Sequence, residues 1–437
     1  MGHIVGKDIY HSLGNKIDNL SVRVNLNKKF YEIIKELYSP EEAEIVVKMP
    51  YSLSTLEEIV EATGYEKIKL IPVLQGLCHK GLVVDMWLQD KFLYTPSPMV
   101  IGIFEFTMMR TGDNLKSKEW ARLFNDYMHD GGFHKVNFQN GEQISPMRTL
   151  PHESSIKNED FVEILDYEKA TAIVEQQDKF AIGICSCRHE KLHMDEKACD
   201  VPLDTCLSFS YAADYLIRNK LAKKATKSEV LESLARSKEM GLVFNADNVK
   251  NNITFICQCC GCCCNVLMGI SKFGYANTVV TSSFIANIDQ DTCTGCGKCV
   301  KACPINAIEL SPLENPIAKK RNEPIINTEI CIGCGVCALK CDKTNSVKLI
   351  KREKRVIHPE STFEKAILQS LERGQLQNQL FGDPKNITQK MMKGLIGGFL
   401  RLNPVKKALM SDSLRSSFLA SMKKGAIMQG KGWLTEL

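Results

Sequence analysis

Eighteen of the chain's 19 cysteines fall between Cys185 and Cys341, and the remaining one is Cys78. Nothing else in the sequence restricts the fold as tightly. Thiols this dense are held either by disulfides or by metal. Disulfide scaffolds are short and exported. This chain has 437 residues and opens MGHIVGKDIY, without the charged-then-apolar pattern of an export signal, which predicts a cytoplasmic location and reduced thiols. An odd count grouped as CxxC and CC pairs then points to metal. At 44% hydrophobic and 24% charged residues the composition is that of a globular protein with real cores, not a disordered chain. No apolar run is long enough to span a bilayer as a helix.

Eight of the cysteines form an internal repeat. Cys293, Cys296, Cys299 and Cys303 follow C-x2-C-x2-C-x3-C-P, and Cys331, Cys334, Cys337 and Cys341 repeat the spacing 38 residues later, with Asp342 in place of Pro304. Three thiolates on one tight loop reach three corners of a cubane, and the fourth points to the neighbouring cluster. That crossing predicts one [4Fe-4S] cluster on Cys293, Cys296, Cys299 and Cys341, and a second on Cys331, Cys334, Cys337 and Cys303. Zinc ribbons pair two CxxC knuckles at longer separation and do not need this triple spacing twice. The pattern is that of bacterial ferredoxins, whose clusters have no open coordination position and pass single electrons. The linker Leu310–Asn327, with Pro312, Pro316 and Lys319-Lys320-Arg321, reads as a solvated insertion or a docking loop.

Ten more cysteines lie upstream: Cys185 and Cys187 in a CxCRH segment, Cys199 and Cys206 in CDxPxxTC, then Cys257, Cys259, Cys260, Cys262, Cys263 and Cys264 in CxCCGCCC. This combination closely resembles a family of cytoplasmic iron–sulfur proteins that carry the same block ahead of a two-cluster ferredoxin module and an N-terminal winged-helix-like segment. The resemblance covers roughly residues 28–345 and implies an electron carrier coupled to flavoprotein or anaerobic redox systems. Ten thiolates serve two cubanes with two left over, or one cluster plus free thiols, and six within residues 257–264 are too crowded to face a single cubane. Cys259-Cys260-Gly261 also faintly resembles the CCG motif of heterodisulfide reductase catalytic subunits, without their long repeat. Arg188 reads as a cluster-tuning cation or a surface ion pair. His189 and His193 read as ligands or, with ten thiolates available, as supporting or solvated residues, and Cys78 as core.

The chain as a whole reads as α+β. Residues 28–97 form a winged-helix-like domain: helices over Lys29–Leu37, Pro40–Val47, from Ser54-Thr55 to Gly64, and Tyr65–Lys80 with Pro72 inside, then a hairpin around Gln89-Asp90. Residues 98–180 are a connector with helices over Ile101–Arg110, Ser117–Tyr127 and Tyr167–Gln177. Residues 181–281 are a mixed, cysteine-rich iron–sulfur domain. Residues 286–350 are a ferredoxin-like βαββαβ module, and 351–437 a basic helical tail. Residues 28–95 hold 8 basic and 11 acidic side chains, a net of −3 that argues against DNA binding. The tail holds 16 basic and 7 acidic residues, a net of +9, around apolar Met391–Leu402. That suits a partner subunit, its own protein's surface, or an anionic membrane face.

These features predict an electron-transfer protein or subunit relaying single electrons through several [4Fe-4S] clusters, two in the ferredoxin module and one or two more over residues 185–264. Its expected partners are redox proteins, a flavoprotein or a larger anaerobic oxidoreductase complex, with contact at the inner membrane surface through the tail as one arrangement. It is expected to wire electrons within an oxidoreductase rather than catalyse alone. The alternatives are a disulfide- or thiol-reducing enzyme with an unusual cluster in the CCGCCC block, and an iron–sulfur transcription regulator. No phosphate-cradling or dinucleotide motif is present.

Overall fold

A computed structural model describes residues 8–157, 160, 164–317, 320–353, 356, 358–380 and 387–437, with side chains outside the description at 314–317, 320 and 387–390. The opening segment, Lys319, the Lys320 and Pro316 side chains, and that of Lys390 therefore lie outside the described residues. The chain divides into two compact units: residues 1–144, 214–222 and 360–437, and residues 145–213 and 223–359.

The first unit holds helices Lys28–Leu37, Pro40–Lys48, Leu56–Thr63 and Lys67–Lys80 and a three-stranded sheet of Ser54–Thr55, Lys91–Pro96 and Val83–Leu88 in that spatial order, its first strand lying just ahead of the third of these helices. Gln89 and Asp90 both take positive φ, 50° and 59°, as a two-residue hairpin turn with the twist of its strands requires. The helix starts are set by reciprocal capping: Ser39 with Glu42, and Thr55 with Glu58. The second box stands one residue later than Ser54 and Glu57, with Thr55 both pairing with Leu93 in the strand and capping the helix. Pro72 is accommodated inside Lys67–Lys80 without ending it. A further helix, Ile9–Asp18, precedes the segment. Residues 99–103 are not regular helix, so the helix expected over Ile101–Arg110 is only Phe104–Met109.

The beginning of the basic tail belongs to this unit's core. Helix Thr362–Glu372 buries Ile367, Leu368 and Leu371 with Ile144, Leu376, Leu400 and Leu419. Arg373 donates to the Ser21 carbonyl, and Gln375 to that of Asp18. The short segment 214–222 docks here as well. Tyr215 donates to the Cys78 and Val83 carbonyls, and Arg218 pairs with Asp85 at 2.8 Å. Cys78 is accordingly buried.

The second unit is built on a six-stranded sheet whose order is Met147–Leu150, Val243–Asp247, Phe255–Cys259, Cys206–Phe209, Phe180–Gly183 and, at the far edge, Ala222–Ala225. Alternation along a strand sends successive side chains to opposite faces. Leu207, Phe209, Phe244 and Ile256 therefore face helices Ala170–Glu175 and Lys227–Glu239, where they pack with Ile173, Val230 and Leu234. Val243, Cys257 and Cys259 belong to a different apolar cluster. Tyr167–Gln177 is a 3-10 turn plus the short helix Ala170–Glu175, not one helix.

Downstream, the order is strand Phe284–Ile288, helix Lys298–Ala302, strands Ile308–Ile317 and Lys320–Ile326, helix Val336–Leu339 and strand Val347–Lys351. The outer strands pair antiparallel. The two central strands pair as a long hairpin, so the described part of the Leu310–Asn327 linker is ordered sheet rather than a loop.

Candidate metal centre

Repetition of sequence gives repetition of geometry in the ferredoxin-like segment. Gly333 has φ +66°, and a Cβ there would lie 2.0 Å from the Phe284 carbonyl oxygen, so only glycine lets the loop wrap this closely. Backbone N–H groups turn toward sulfur: Gly295 donates to Cys293 at 3.4 Å and Ala307 to Cys303 at 3.1 Å. Burial pushes the Cys334 thiol up to about 12, with Cys331 and Cys303 adding to the effect. Burial also raises Cys337, followed by Cys334, Cys331 and Cys303. Cys303 thus stands among the thiols of the other half. Lys298, paired with Asp342 at 2.6 Å, feels both Cys296 and Cys341. Buried thiols that disfavour ionisation by themselves become stable thiolates when a positively charged cluster neutralises them, so the donor set fits two iron–sulfur clusters.

The ten upstream cysteines separate into six and four. Strand alternation puts Cys257 and Cys259 on one face, and register sets Cys206 directly opposite Cys257. Cys185 caps helix Ser186–His193, whose first turn holds Cys187, and Cys264 caps helix Asn265–Ser271. Each of these six thiols acts on its neighbour's ionisation, Cys206 on Cys257, Cys257 on Cys259, Cys259 on Cys264, Cys264 on Cys187 and Cys187 on Cys185. Within this row Cys264 is held well below the usual thiol range, first by Cys187 and Cys259 and then by the helix N–H groups of Leu267 and Val266. Cys185 is lowered too, first by Cys187 and then by Arg188. Cys187 is raised first by Cys185 and Cys264 and Cys257 first by Cys206 and Cys259, with burial adding to both.

Arg188 is fully buried, not a surface ion pair. It donates to Thr205 Oγ1 and the Gln258 carbonyl, and it faces Cys185, Cys260 and Cys259, which hold it charged against the cost of burial. Its Nε has no partner among the described residues. A buried guanidinium with a spare donor among thiols fits a site that binds an anionic iron–sulfur group. His189 and His193 lie 2.9 Å apart, ring nitrogen to ring nitrogen. Glu190, fully buried, is pushed up to about 7 by that burial, with Asn265 donating to it. Thr205 is the threonine of the CDxPxxTC segment, but no spacing or motif in the sequence marks Glu190, Asn265 or the Gln258 anchor.

The other four thiols, Cys199, Cys260, Cys262 and Cys263, all lie within 4.8 Å of one another. Sulfur separations are 3.8 Å for Cys199–Cys260, 3.9 Å for Cys199–Cys263 and 3.5 Å for Cys262–Cys263. Cys260 is lowered to about 5, first by Cys263 and then by Arg188. The six-cysteine run is thus divided, with Cys257, Cys259 and Cys264 turned one way and Cys260, Cys262 and Cys263 the other. The crowding that forbids one cubane is legible in the sequence; the division needs the strand's end and the turn after it.

Gly261 lies against the ferredoxin-like segment. A Cβ on it would stand 2.6 Å from the Pro304 carbonyl oxygen and 2.9 Å from Pro304 Cα. Cys257, Cys259 and Cys264 share one apolar cluster with Cys303, Cys331 and Cys334, filled by Leu267, Ile305 and Ile332.

Residues 292–345 match the 4Fe-4S dicluster domain family. Over 88 residues the chain is 34% identical to an ion-translocating oxidoreductase complex subunit of Methanosarcina acetivorans, covering 20% of this chain and 28% of that protein. The subunit of the same name from Haemophilus ducreyi is 45% identical over 42 residues, 10% of this chain and 20% of its own. The chain therefore spans less than a third of the length of these relatives. No solved structure matches. Among the described residues no helix is long and apolar enough to cross a membrane. Residues 292–345 are a 4Fe-4S dicluster domain, which makes the chain an iron–sulfur protein.

Proposed function

We propose that this chain relays single electrons between the six-thiol centre of its upstream block and two ferredoxin-type clusters, as an electron-transfer subunit of a larger oxidoreductase complex. Each cubane, when bound, supplies one-electron chemistry without an open coordination position. Cys293, Cys296, Cys299 and Cys341 hold one, and Cys331, Cys334, Cys337 and Cys303 the other. The carrying observation is the apolar cluster shared by Cys257, Cys259 and Cys264 with Cys303, Cys331 and Cys334. Leu267, Ile305 and Ile332 exclude water between the two thiol sets, and Gly261 against Pro304 keeps their backbones in contact. Arg188 offsets the negative charge that thiolates and reduction bring. The curated relatives are subunits of an ion-translocating oxidoreductase complex, which supports a place among redox partner proteins. A flavoprotein partner and contact at the inner membrane surface belong to the same reading.

Anaerobic reductive titration followed by electron paramagnetic resonance tests this relay. One-electron steps are expected, with magnetic coupling between the upstream centre and the cluster held by Cys303, and no spectral change on adding thiols or disulfides. A paramagnetic signal induced by a disulfide and lost in Cys259→Ser would replace the relay with a disulfide-reducing enzyme.

A further inference from the structure

The group formed by Cys199, Cys260, Cys262 and Cys263 has dimensions of its own. Four thiolates around one ion at a metal–sulfur distance of about 2.3 Å form a tetrahedron with edges of about 3.8 Å. The three sulfur separations of 3.8, 3.9 and 3.5 Å match that edge. In a cubane each thiolate binds a different iron, so the sulfurs stand farther apart. The same molecule provides the comparison. The eight ferredoxin-type cysteines carry the spacing of cubane ligands, and among the described residues they form no group with all sulfurs within 4.8 Å; only Cys199, Cys260, Cys262 and Cys263 do.

We infer that these four cysteines bind a single tetrahedrally coordinated thiophilic ion, zinc(II) or iron(II), separate from every iron–sulfur cluster of the chain. This rests on the upstream block being metal-binding but not on the relay. Soft thiolates select such ions over magnesium or calcium. Arg188 beside Cys260 lessens the negative charge that four thiolates leave on a divalent ion. Cys199 comes from the loop between helix Ser186–His193 and strand Cys206–Phe209, and the other three come from the turn after strand Phe255–Cys259. The ion would therefore clamp two loops and fix the turn that carries Gly261. It also accounts for the cysteine count: six remain for the upstream centre, and ten need not be divided between two cubanes.

The test is metal and acid-labile sulfide analysis of the full-length protein purified anaerobically, beside Cys262→Ser and Cys199→Ser. Each variant should lose about one equivalent of zinc or iron and keep its sulfide. Loss of about four iron with about four sulfide would overturn the inference in favour of a cubane. No metal loss in either variant would overturn it equally. If both variants lose all metal through misfolding, the wild-type protein decides. Zinc-edge X-ray absorption showing four sulfur neighbours, or a Mössbauer doublet of tetrathiolate iron(II), supports the single ion, and the absence of both overturns it. Zinc and iron are distinguished by which signal is found. Failure of the relay would appear in the reductive titration, whereas failure here appears in the ratio of metal to sulfide.

Discussion

Two buried cations show how single residues set the behaviour of their surroundings. The charge of Arg188 is balanced by thiols, Cys185, Cys260 and Cys259. Arg188→Met removes that balance and leaves thiolates uncompensated, a change of the class that costs about 3–5 kcal/mol. The expected outcome is loss of the upstream centre's visible absorption with the ferredoxin-type signals retained, and only partial rescue by Arg188→Lys, which lacks the guanidinium's fork. Retention of both absorptions in Arg188→Met would remove Arg188 from this role. Lys16 is 4% exposed and lies over the Tyr51 ring at 3.5 Å. Burial first, then Lys393, lowers it from 10.5 to about 7. The unfolded chain then binds more protons between those values, so stability is full above 10.5 and falls as pH drops toward about 7, by about 1.4 kcal/mol per pH unit at most. Lys16→Met should raise the melting temperature most near pH 7 and progressively less toward pH 10. A pH-independent difference would contradict this. The sequence displays Arg188 beside Cys187 but gives no sign of its burial, because the strands and helix that enclose it come from distant segments. Lys16 shows nothing at all, since a lysine in an amphipathic helix is ordinarily solvated.

Among the elements, the strand ending in Cys259 and the turn after it organise the upstream block. A period of two is readable from Phe255 to Cys259, and it aims Cys257 and Cys259 together; the turn at Gly261 reverses that direction for the next thiols. Gly261→Ala would force a Cβ to within 2.6 Å of the Pro304 carbonyl. Neither side of that contact is a flexible side chain, so overpacking should cost about 1–3 kcal/mol. The expected result is weaker magnetic coupling between the upstream and ferredoxin-type centres at unchanged metal content; unchanged coupling would show that the Pro304 contact does not carry it. Cap and turn chemistry makes other elements legible in the sequence: Pro40 at its helix start, Gly64 past its helix, and Gln89-Asp90 in the hairpin. What misled was composition. Leu310–Asn327 contains three prolines and a basic triplet, the usual marks of a loop, yet its described residues pair as antiparallel strands with Pro312 opposite Asn322 next to an irregularity in register. Ser54 stands three residues before Glu57 just as Thr55 stands before Glu58, and spacing alone does not choose between the two caps.

At the scale of the whole chain, the basic tail is divided between a folding task and an exposed surface. Helix Ile387–Leu400 turns Leu400 and Ile396 into the first unit's core. It leaves Met391, Leu395 and Phe399 66%, 71% and 58% exposed. These three recur every four residues, so they form one stripe, about 100° round the helix from Ile396 and Leu400. Truncation at residue 360 would strip Ile367, Leu368 and Leu371 from that core, and a loss of binding in such a protein would say nothing about docking. Point changes on the stripe separate the two tasks. The tail's net +9 and the apolar stripe together suit an acidic partner subunit with an apolar centre, and subunits of oxidoreductase complexes are among the chain's relatives. Leu395→Gln with Phe399→Gln should leave cluster content and melting unchanged and weaken co-purification with partner proteins at every salt concentration, by about tenfold or more if both side chains are buried on binding. Lys407→Gln with Arg401→Gln should weaken it mainly at low salt, where exposed charges are least screened. Unchanged partner yield in the apolar variant would assign the stripe no docking role. Binding to anionic vesicles, lost in the same variant while partner yield persists, would assign it to a membrane surface instead.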